Sequence, residues 1–227
     1  MDMAKHAAIF DLDGTLLNSI EDLYLSMNFV LKRNGFPERT LSEIRGFVGD
    51  GIYKLCQRAL PYGTKNETVQ RVFEEMHGYY MEHCMEKSAP YPGITRMLER
   101  LKAAGVKTAV VSNKSDDAVK KICSYYFGET VCTAIGEREQ AGIRKKPAPD
   151  SVLAALGVLG VTAEKAVYIG DSQVDVYTAQ NSGMDGIAVT WGFRTRAELE
   201  RAGARVFADT PEKLFELICG YDDGVHI

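Results

Sequence analysis

Short apolar segments alternate with amphipathic ones from Tyr91 onward, and this alternation constrains the fold more than any other feature. The apolar segments are rich in β-branched and small residues, which favours strands, and the segments between them have helical spacing. Strands that alternate with helices of about ten residues indicate parallel βαβ units and an open α/β sheet. We predict strands at 106–111, 131–135, 166–169, 187–190 and 205–208, and helices at 94–104, 116–126, 150–156, 174–181, 196–201 and 211–218.

A long helical stretch separates the first strand of this sheet from the others. Ala7–Phe10 is a short apolar run typical of a buried strand. Residues 16 to 88 carry apolar side chains at helical spacing and contain no convincing strand. We therefore predict a Rossmann-like parallel core made of residues 1–16 and 89–227, with an all-α unit inserted at 17–88. The helices of that unit are predicted at 20–34, 41–47, 51–60 and 68–85, and a loose tail is predicted at 221–227.

Composition and charge exclude several classes of function. The 227 residues include 27 basic and 31 acidic ones, so the net charge of −4 gives no electrostatic basis for general binding of nucleic acid. No apolar run approaches the roughly 20 residues that span a bilayer. The five cysteines are odd in number and show no Cys-x-x-Cys spacing, which indicates reduced thiols in the cytoplasm. We expect a monomer or a homodimer that does not bind membranes.

Polar side chains with catalytic potential follow four of the predicted strands. In open α/β sheets, ligands bind at the carboxyl ends of the strands, so these side chains should gather at one edge. One edge of the sheet would then hold several carboxylates, a hydroxyl, an amide and a lysine. The residues concerned are Asp11, Asp13, Gly14 and Thr15 after the first strand, Ser112 and Asn113 after the second, Lys145 and Lys146 in a later loop, and Asp171 and Asp175 after the fourth.

The charges at this edge indicate what the site could bind. Carboxylates packed together repel one another, and a divalent cation removes that conflict. Oxygen ligands suit Mg²⁺, which commonly completes its coordination with phosphate oxygens of a substrate. The lysine, the Ser112 hydroxyl and the backbone N–H groups beside Gly14 then offer donors for phosphate. The residues therefore favour a magnesium site that handles a phosphate ester.

The same segments resemble the motifs of the haloacid dehalogenase-like hydrolases. Residues 10–16, Phe-Asp-Leu-Asp-Gly-Thr-Leu, resemble the first motif of that family. Ser112-Asn113, Lys146 to Asp150 and Gly170 to Asp175 resemble its second, third and fourth motifs, in the family's order. The resemblance covers essentially the whole chain, because the insertion at 17–88 matches a helical cap. Residues 16–23 and 47–51 are most similar to the phosphoglycolate phosphatase branch.

This resemblance implies a role for each motif residue. Asp11 would attack phosphorus and form an aspartyl-phosphate, and Asp13 would protonate the leaving group and then activate water. Ser112 and Lys146 would hold the transferring phosphoryl group, with Lys146 counted among the catalytic residues, and Asn113, Gly14 and Thr15 would also bind phosphate. Mg²⁺ would be held by Asp11, the backbone carbonyl of Asp13 and Asp171, with Asp175 acting through water or on the lysine. The implied substrate is a small phosphate ester.

Other interpretations stay open at the level of sequence. Lys145 could replace Lys146 as the phosphate lysine, and a sugar-phosphate mutase would share the same nucleophile and cap. A degenerate phosphate-binding regulatory module is the non-enzymatic alternative, although the complete set of motifs argues against it. Dehalogenase and phosphonate hydrolase activities are disfavoured, because neither needs Asp13 as an acid.

The substrate is expected to depend on the cap. Arg45 could bind a substrate carboxylate through two hydrogen bonds, although an ordinary exposed helical arginine is the simpler interpretation. Asp50 departs from the asparagine expected in the phosphoglycolate phosphatase branch, and it places a negative charge where an acidic substrate would bind.

Overall fold

A computed structural model describes residues 4–220 of the chain. Within that range the strands are β1 (Ala7–Phe10), β2 (Leu17–Asn18), β3 (Ala89–Pro90), β4 (Lys107–Ser115), β5 (Thr133–Glu137), β6 (Ala166–Gly170), β7 (Asp185–Val189) and β8 (Phe207–Ala208). The α-helices are α1 (Ile20–Arg33), α2 (Leu41–Phe47), α3 (Ile52–Ala59), α4 (Asn66–His83), α5 (Ile94–Ala103), α6 (Asp116–Tyr126), α7 (Asp150–Leu159), α8 (Gln173–Asn181), α9 (Arg196–Arg201) and α10 (Pro211–Cys219).

Six of the strands form one parallel sheet in the order β5-β4-β1-β6-β7-β8. Strand β1 lies between β4 and β6, with Phe10 in register with Val110 on one side and Ile169 on the other. The chain places β4 and β5 on one side of β1 and then β6, β7 and β8 on the other, which creates a topological switch point at the carboxyl end of β1. The predicted Rossmann-like α/β core is confirmed.

Helices cover both faces of the sheet, and the side chains of β1 show why. Ala8 and Phe10 belong to the larger apolar core, whereas Ala7 and Ile9 belong to a second core that includes residues of α7. Helices α5 and α6 pack against β4 within the first layer, and α7 and α8 pack against β4, β5, β6 and β7 in the second. Burial on both faces explains why β1 is a continuous apolar run without alternation.

The inserted helices lie between the two short strands β2 and β3. These strands pair antiparallel, with Leu17 opposite Pro90 and Asn18 opposite Ala89, so the chain leaves and returns at one place. Helix α1 packs on α2 and α4, and α3 packs on α2 and α4. The division into a core and a cap at 17–88 remains a prediction, and "cap" below means α1 to α4 with their loops.

Three local predictions differ from the structure. The sequence indicated no strand between 16 and 88, but Leu17–Asn18 is a strand, and two residues are too few to show a period. Helix α7 continues past Gly157 to Leu159 and ends at Gly160, whose φ of 64° suits a left-handed helix end. The strand predicted at 106–111 continues as β4 to Ser115, the N-cap residue of α6, so Ser112 and Asn113 lie within the strand.

None of the helices within residues 4–220 combines the length and apolar composition needed to cross a bilayer. The tail predicted at 221–227 lies outside the described residues.

Candidate active site

The carboxyl ends of β1, β4 and β6 meet at one cavity beneath the cap. The cavity is small, about 40 Å³. Because it lies at these strand ends, it is at the switch point of the sheet, where ligands bind in this architecture. Core and cap both contribute to its wall. The lining residues are Asp11, Asp13, Ser112, Asn113, Lys114, Asp171, Ser172, Phe193 and Arg194 from the core, and Leu23, Val48, Gly49, Gly51, Ile52 and Leu55 from the cap.

Three buried aspartates form an acidic cluster at this edge. Asp11, Asp171 and Asp175 each place a carboxylate oxygen within 4.8 Å of the others. Burial raises the pKa of Asp11 to about 7, with Lys146 opposing this shift and Asp175 adding to it. Burial, together with Asp175 and Asp11, raises the pKa of Asp171 well above its ordinary range. The cluster therefore carries more acidic groups than the protein alone neutralises, which is the situation that a cation relieves.

Glycines leave the space that Asp171 occupies. A Cβ added to Gly14 would lie 2.3 Å from Asp171 Oδ2, and one added to Gly192 would lie 2.3 Å from Asp171 Cβ. The N–H of Phe193 donates to Asp171 Oδ2 at 2.6 Å, and Thr15 Oγ1 donates to Oδ1 at 3.3 Å. The all-oxygen donor set and this fixed carboxylate fit a hard divalent cation such as Mg²⁺. The Asp13 carboxylate is not part of the cluster, and the metal contact through its carbonyl remains a prediction.

Lys146 lies at the centre of the acidic cluster. Its Nζ donates to Asp11 Oδ1 at 2.7 Å and to Asp175 Oδ1 at 2.8 Å. Burial alone would lower the pKa of Lys146, but Asp11 and Asp175 outweigh it and raise that pKa well above its ordinary value. Lys145 instead points away and pairs with Glu139 at 3.1 Å. Of the two candidate lysines, the structure brings Lys146 into contact with the proposed nucleophile.

Asp175 supports the lysine and the helix that follows. Its Oδ1 also accepts from the Tyr168 hydroxyl at 3.0 Å. Its Oδ2 accepts from the backbone N–H of Ser172 at 3.1 Å and from the Ser172 hydroxyl at 2.6 Å, forming the capping box of α8. Both oxygens of Asp175 are therefore engaged by the protein, which supports a role on the lysine.

The Asp13 carboxylate is held by two side chains. Ser19 Oγ donates to Asp13 Oδ1 at 2.5 Å, and Lys114 Nζ lies 2.7 Å from both carboxylate oxygens. Lys114 is buried, and its Nζ lies 4.8 Å from the centre of the Tyr80 ring on α4. Burial works against the charged form of Lys114, but Asp13 outweighs it and the net effect raises the pKa of Lys114. Lys114 was not among the residues predicted for the site.

The residues predicted to surround phosphate take different positions. Ser112 lines the cavity, and its Oγ accepts from the Lys114 N–H at 3.3 Å. Asn113 also lines it, and its side chain accepts from the Lys146 N–H and donates to the carbonyls of Lys146 and Gly49. It therefore ties two core loops to the cap.

Gly14 and Thr15 lie behind Asp171 and are not among the residues that line the cavity. Their backbone N–H groups donate to the carbonyls of Leu17 and Leu12, at 2.9 and 3.3 Å. These two donors are therefore already used within the protein. The phosphate contact through Gly14 and Thr15 remains a prediction, and a tight turn uses both of these N–H groups in this structure.

A second cation in the cavity wall is Arg194, which follows β7 and reaches across to the cap. Its guanidinium donates to the carbonyls of Arg45, Gly46 and Val48, at 2.8, 3.2 and 2.6 Å respectively. These carbonyls belong to the end of α2, where backbone acceptors lack helical partners. Arg194 thus joins the core to the cap at the cavity that Asp11 and Asp171 also line.

The Arg45 side chain is exposed and is not among those that line the cavity. Its charge still acts toward the site: burial raises the pKa of Tyr91, Asp171 adds to this, and Arg45 opposes it. Asp50 is not an isolated charge, because Arg58 binds it at 2.5 Å. Contact between Arg45 and a substrate remains a prediction.

The sequence matches the haloacid dehalogenase-like hydrolase family over residues 8–189. A phosphoglycolate phosphatase from Aquifex aeolicus (strain VF5) is 35% identical over 191 residues, which are 82% of this chain and 84% of that protein. An N-acetylmuramic acid 6-phosphate phosphatase from Pseudomonas aeruginosa is 27% identical over 225 residues, covering 95% of this chain and 96% of that protein.

The fold and the length of the chain agree with these matches. A Lactobacillus delbrueckii subsp. bulgaricus protein, described as a predicted phosphoglycolate phosphatase, has a crystal structure similar to this one with a TM-score of 0.91. The two sequences are 40% identical, and the match covers 96% of this chain and 100% of that one. This chain therefore belongs to the haloacid dehalogenase-like hydrolase family and is a phosphatase of that family.

Proposed function

We propose that the protein is a Mg²⁺-dependent phosphate monoester hydrolase that works through an aspartyl-phosphate on Asp11. The observation that carries this proposal is the position of Asp11: it lines the cavity, with Lys146 2.7 Å from Oδ1 and the Asp171 carboxylate beside it. A carboxylate nucleophile divides one difficult transfer into two easier ones. Lys146 holds Asp11 in place and balances negative charge that gathers around the transferred group.

Each remaining residue has a role consistent with its contacts. Asp13 supplies a proton to the departing alkoxide and then takes one from the attacking water. Ser112 and the neighbouring backbone face the phosphoryl group from β4. Mg²⁺ bound by Asp11, Asp171 and the Asp13 carbonyl would offset the charge of the phosphate oxygens. Asp175 keeps Lys146 in contact with Asp11.

A small carboxylated ester such as phosphoglycolate is the substrate that we propose first. The Aquifex aeolicus relative carries that activity in its name. The cavity beneath the cap is small, which suits a leaving group of a few atoms. The ion pair between Asp50 and Arg58 reduces the repulsion that Asp50 would otherwise exert on an acidic substrate.

A sugar-acid phosphate is the second candidate. A wider cleft, about 580 Å³, continues from Gly51 and Asn113 between the cap and the loop that contains Glu137 to Lys145. Such space could hold a larger leaving group, and the Pseudomonas aeruginosa relative acts, by its name, on N-acetylmuramic acid 6-phosphate. Hydrolysis is proposed ahead of the mutase alternative, because both curated relatives named above are phosphatases.

A substrate panel tests the function. Phosphoglycolate, N-acetylmuramic acid 6-phosphate, a hexose phosphate and p-nitrophenyl phosphate should be compared by kcat/KM for release of inorganic phosphate, with Mg²⁺ and with excess chelator. We expect Mg²⁺-dependent release, with the highest kcat/KM for phosphoglycolate. Interconversion of sugar phosphates without net release would favour the mutase, and full activity with chelator would contradict the metal.

A further inference from the structure

Lys114 occupies a position in β4 that the motif residues do not explain. It follows Ser112 and Asn113 directly, and like them it is buried and lines the cavity. Its Nζ forms two hydrogen bonds of 2.7 Å to Asp13, one to each carboxylate oxygen. Charge-assisted contacts to both oxygens fix the rotation of a carboxylate as well as its position.

The remaining contacts of this pair come from the cap. Ser19, the N-cap residue of α1, donates its hydroxyl to Asp13 Oδ1 at 2.5 Å. The ring of Tyr80 on α4 lies against the Lys114 ammonium, 4.8 Å from ring centre to Nζ. Asp13 therefore lies between a core lysine and Ser19 of the cap, and the lysine itself lies against Tyr80 of the cap. The orientation of Asp13 thus depends on both parts of the molecule.

In these contacts both oxygens of Asp13 act as acceptors, because Lys114 donates to each of them and Ser19 donates to Oδ1. The contacts thus hold the carboxylate in one orientation. The second half of the proposed reaction, hydrolysis of the phosphoenzyme, needs an acceptor in a fixed position for the proton of the attacking water. In that step the water oxygen bonds to phosphorus, its proton passes to Asp13, and the bond from phosphorus to Asp11 breaks to leave phosphate and the free carboxylate.

We propose that Lys114 is a positioning residue that orients the Asp13 carboxylate as the general base for this hydrolysis. This inference rests on the proposed function, because it assumes the aspartyl-phosphate on Asp11. In this role Lys114 acts through Asp13 and does not itself contact the reacting atoms. Its loss should therefore slow hydrolysis of the phosphoenzyme while leaving its formation from an activated ester nearly unchanged.

Lys114→Met tests this with p-nitrophenyl phosphate, whose leaving group needs no proton. General-base assistance is typically worth 10²–10⁴ in rate, and loss of its orientation should lower kcat by roughly 10- to 100-fold. The ratio kcat/KM reports only steps up to formation of the phosphoenzyme, so it should stay within about 2-fold of the wild-type value. KM should therefore fall together with kcat. A burst of nitrophenol should appear in the variant, and Lys114→Arg should restore part of kcat.

The double variant Asp13→Asn/Lys114→Met shows whether the lysine acts through Asp13. In the Asp13→Asn background, Lys114→Met should change kcat by no more than about 2-fold, the scatter expected when nothing is left to couple. Lys121→Met is the matched control, since Lys121 also contacts the cap, from α6 through the Met81 carbonyl at 2.6 Å, and forms no hydrogen bond with Asp13. It should keep the wild-type kcat and show no burst.

A measurement without turnover tests the pairing itself. In protein labelled with ¹⁵N on lysine side chains, one ammonium signal should disappear in Lys114→Arg and shift strongly in Asp13→Asn. An unshifted signal would overturn the pairing. An equal loss in kcat and kcat/KM, or a loss that persists in the Asp13→Asn background, would assign Lys114 to substrate binding or to folding instead. A wild-type protein that hydrolyses no ester would contradict the proposed function, and with it this role, whereas an active wild type with an unaffected Lys114→Met contradicts this role alone.

Discussion

Gly14 lies so close to Asp171 that a Cβ at residue 14 would be 2.3 Å from Asp171 Oδ2. The Gly14 backbone also has a φ of 88°, which an L side chain rarely adopts. Two independent constraints therefore require glycine directly after the proposed acid–base residue. The positive φ is needed for the backbone turn, and the absence of a Cβ is needed for the position of the Asp171 carboxylate in the acidic cluster.

Gly14→Ala should lower activity far more than Gly35→Ala does, although both residues have a positive φ. Gly35 has a φ of 72° and no atom within 4 Å of an added Cβ, so its substitution costs only backbone strain, about 1–2 kcal/mol. Gly14→Ala should also displace Asp171, and a misplacement of about 1 Å can cost roughly 10²-fold in kcat. Equal activity of the two variants, measured with p-nitrophenyl phosphate, would contradict a positioned Asp171.

Mg²⁺ should stabilise the protein through Asp171. At 100 times the dissociation constant, a bound ligand adds about 2.7 kcal/mol of stability. For a chain of this size that corresponds to a rise in Tm of roughly 5–10 °C. Asp171→Asn should abolish the rise, and it should not lower the Tm measured in chelator, because it removes a buried charge beside Asp11 and Asp175.

The control for that experiment is Asp185→Asn. Asp185 pairs with Lys5 at 2.7 Å and does not line the cavity, so the rise in Tm with Mg²⁺ should persist. A full rise in Asp171→Asn would place the cation elsewhere.

Arg194→Ala should loosen the cap. Its guanidinium holds three carbonyls at the end of α2, and hydrogen bonds to charged groups are each worth about 1.5–3 kcal/mol. We expect kcat/KM for an aryl phosphate to fall by roughly one to two decades. Amide hydrogen exchange over residues 41–48 should become faster.

Arg196→Ala is the matched control for Arg194. Arg196 is an exposed neighbour that binds Glu200 at 2.9 Å and packs over the Phe207 ring, with no contact to the cap among its hydrogen bonds. It should leave kcat/KM and exchange over 41–48 as in the wild type. Unchanged exchange in Arg194→Ala would show that the cap is held by other contacts.

Arg58→Ala should expose the negative charge of Asp50 near the cavity. We expect a higher KM for phosphoglycolate with little change in kcat, and the added variant Asp50→Asn should restore KM. Phosphoglycolate and p-nitrophenyl phosphate should be compared, because the carboxylated ester carries the extra charge. The same pair of substrates tests Arg45→Ala, which should raise KM for phosphoglycolate alone if Arg45 binds the carboxylate.

The residues that sequence could place are those next to strand ends. Asp11, Ser112 and Asp171 each follow or end an apolar strand segment, and parallel strands bring such ends together. The sequence favours Lys146 but does not exclude Lys145, because adjacent residues in a loop give no information about the direction of their side chains. Contact of Lys146 with Asp11 depends on packing between residues 135 positions apart.

Lys114 and Arg194 show the opposite case. Lys114 lies between the strand predicted at 106–111 and the helix predicted at 116–126, and only the extension of β4 to Ser115 places it in the strand, in contact with Asp13. Arg194 binds Val48 across 146 residues, and no local pattern marks either partner. Residues at strand ends can be predicted because the carboxyl ends of parallel strands meet at one edge of the sheet. Contacts between the core and the cap cannot, because they depend on how two separate segments pack.

Detection of a phosphoryl group on Asp11 is the most direct test of the proposed chemistry. Protein mixed with p-nitrophenyl phosphate and Mg²⁺ should be quenched in acid within the first turnover and digested, and the peptide that contains Asp11 should be examined by mass spectrometry. We expect one phosphoryl group on Asp11, accumulating in Lys114→Met and absent in Asp11→Asn, which should also show no measurable turnover. Turnover by Asp11→Asn, or a phosphoryl group on any other residue, would contradict Asp11 as the nucleophile.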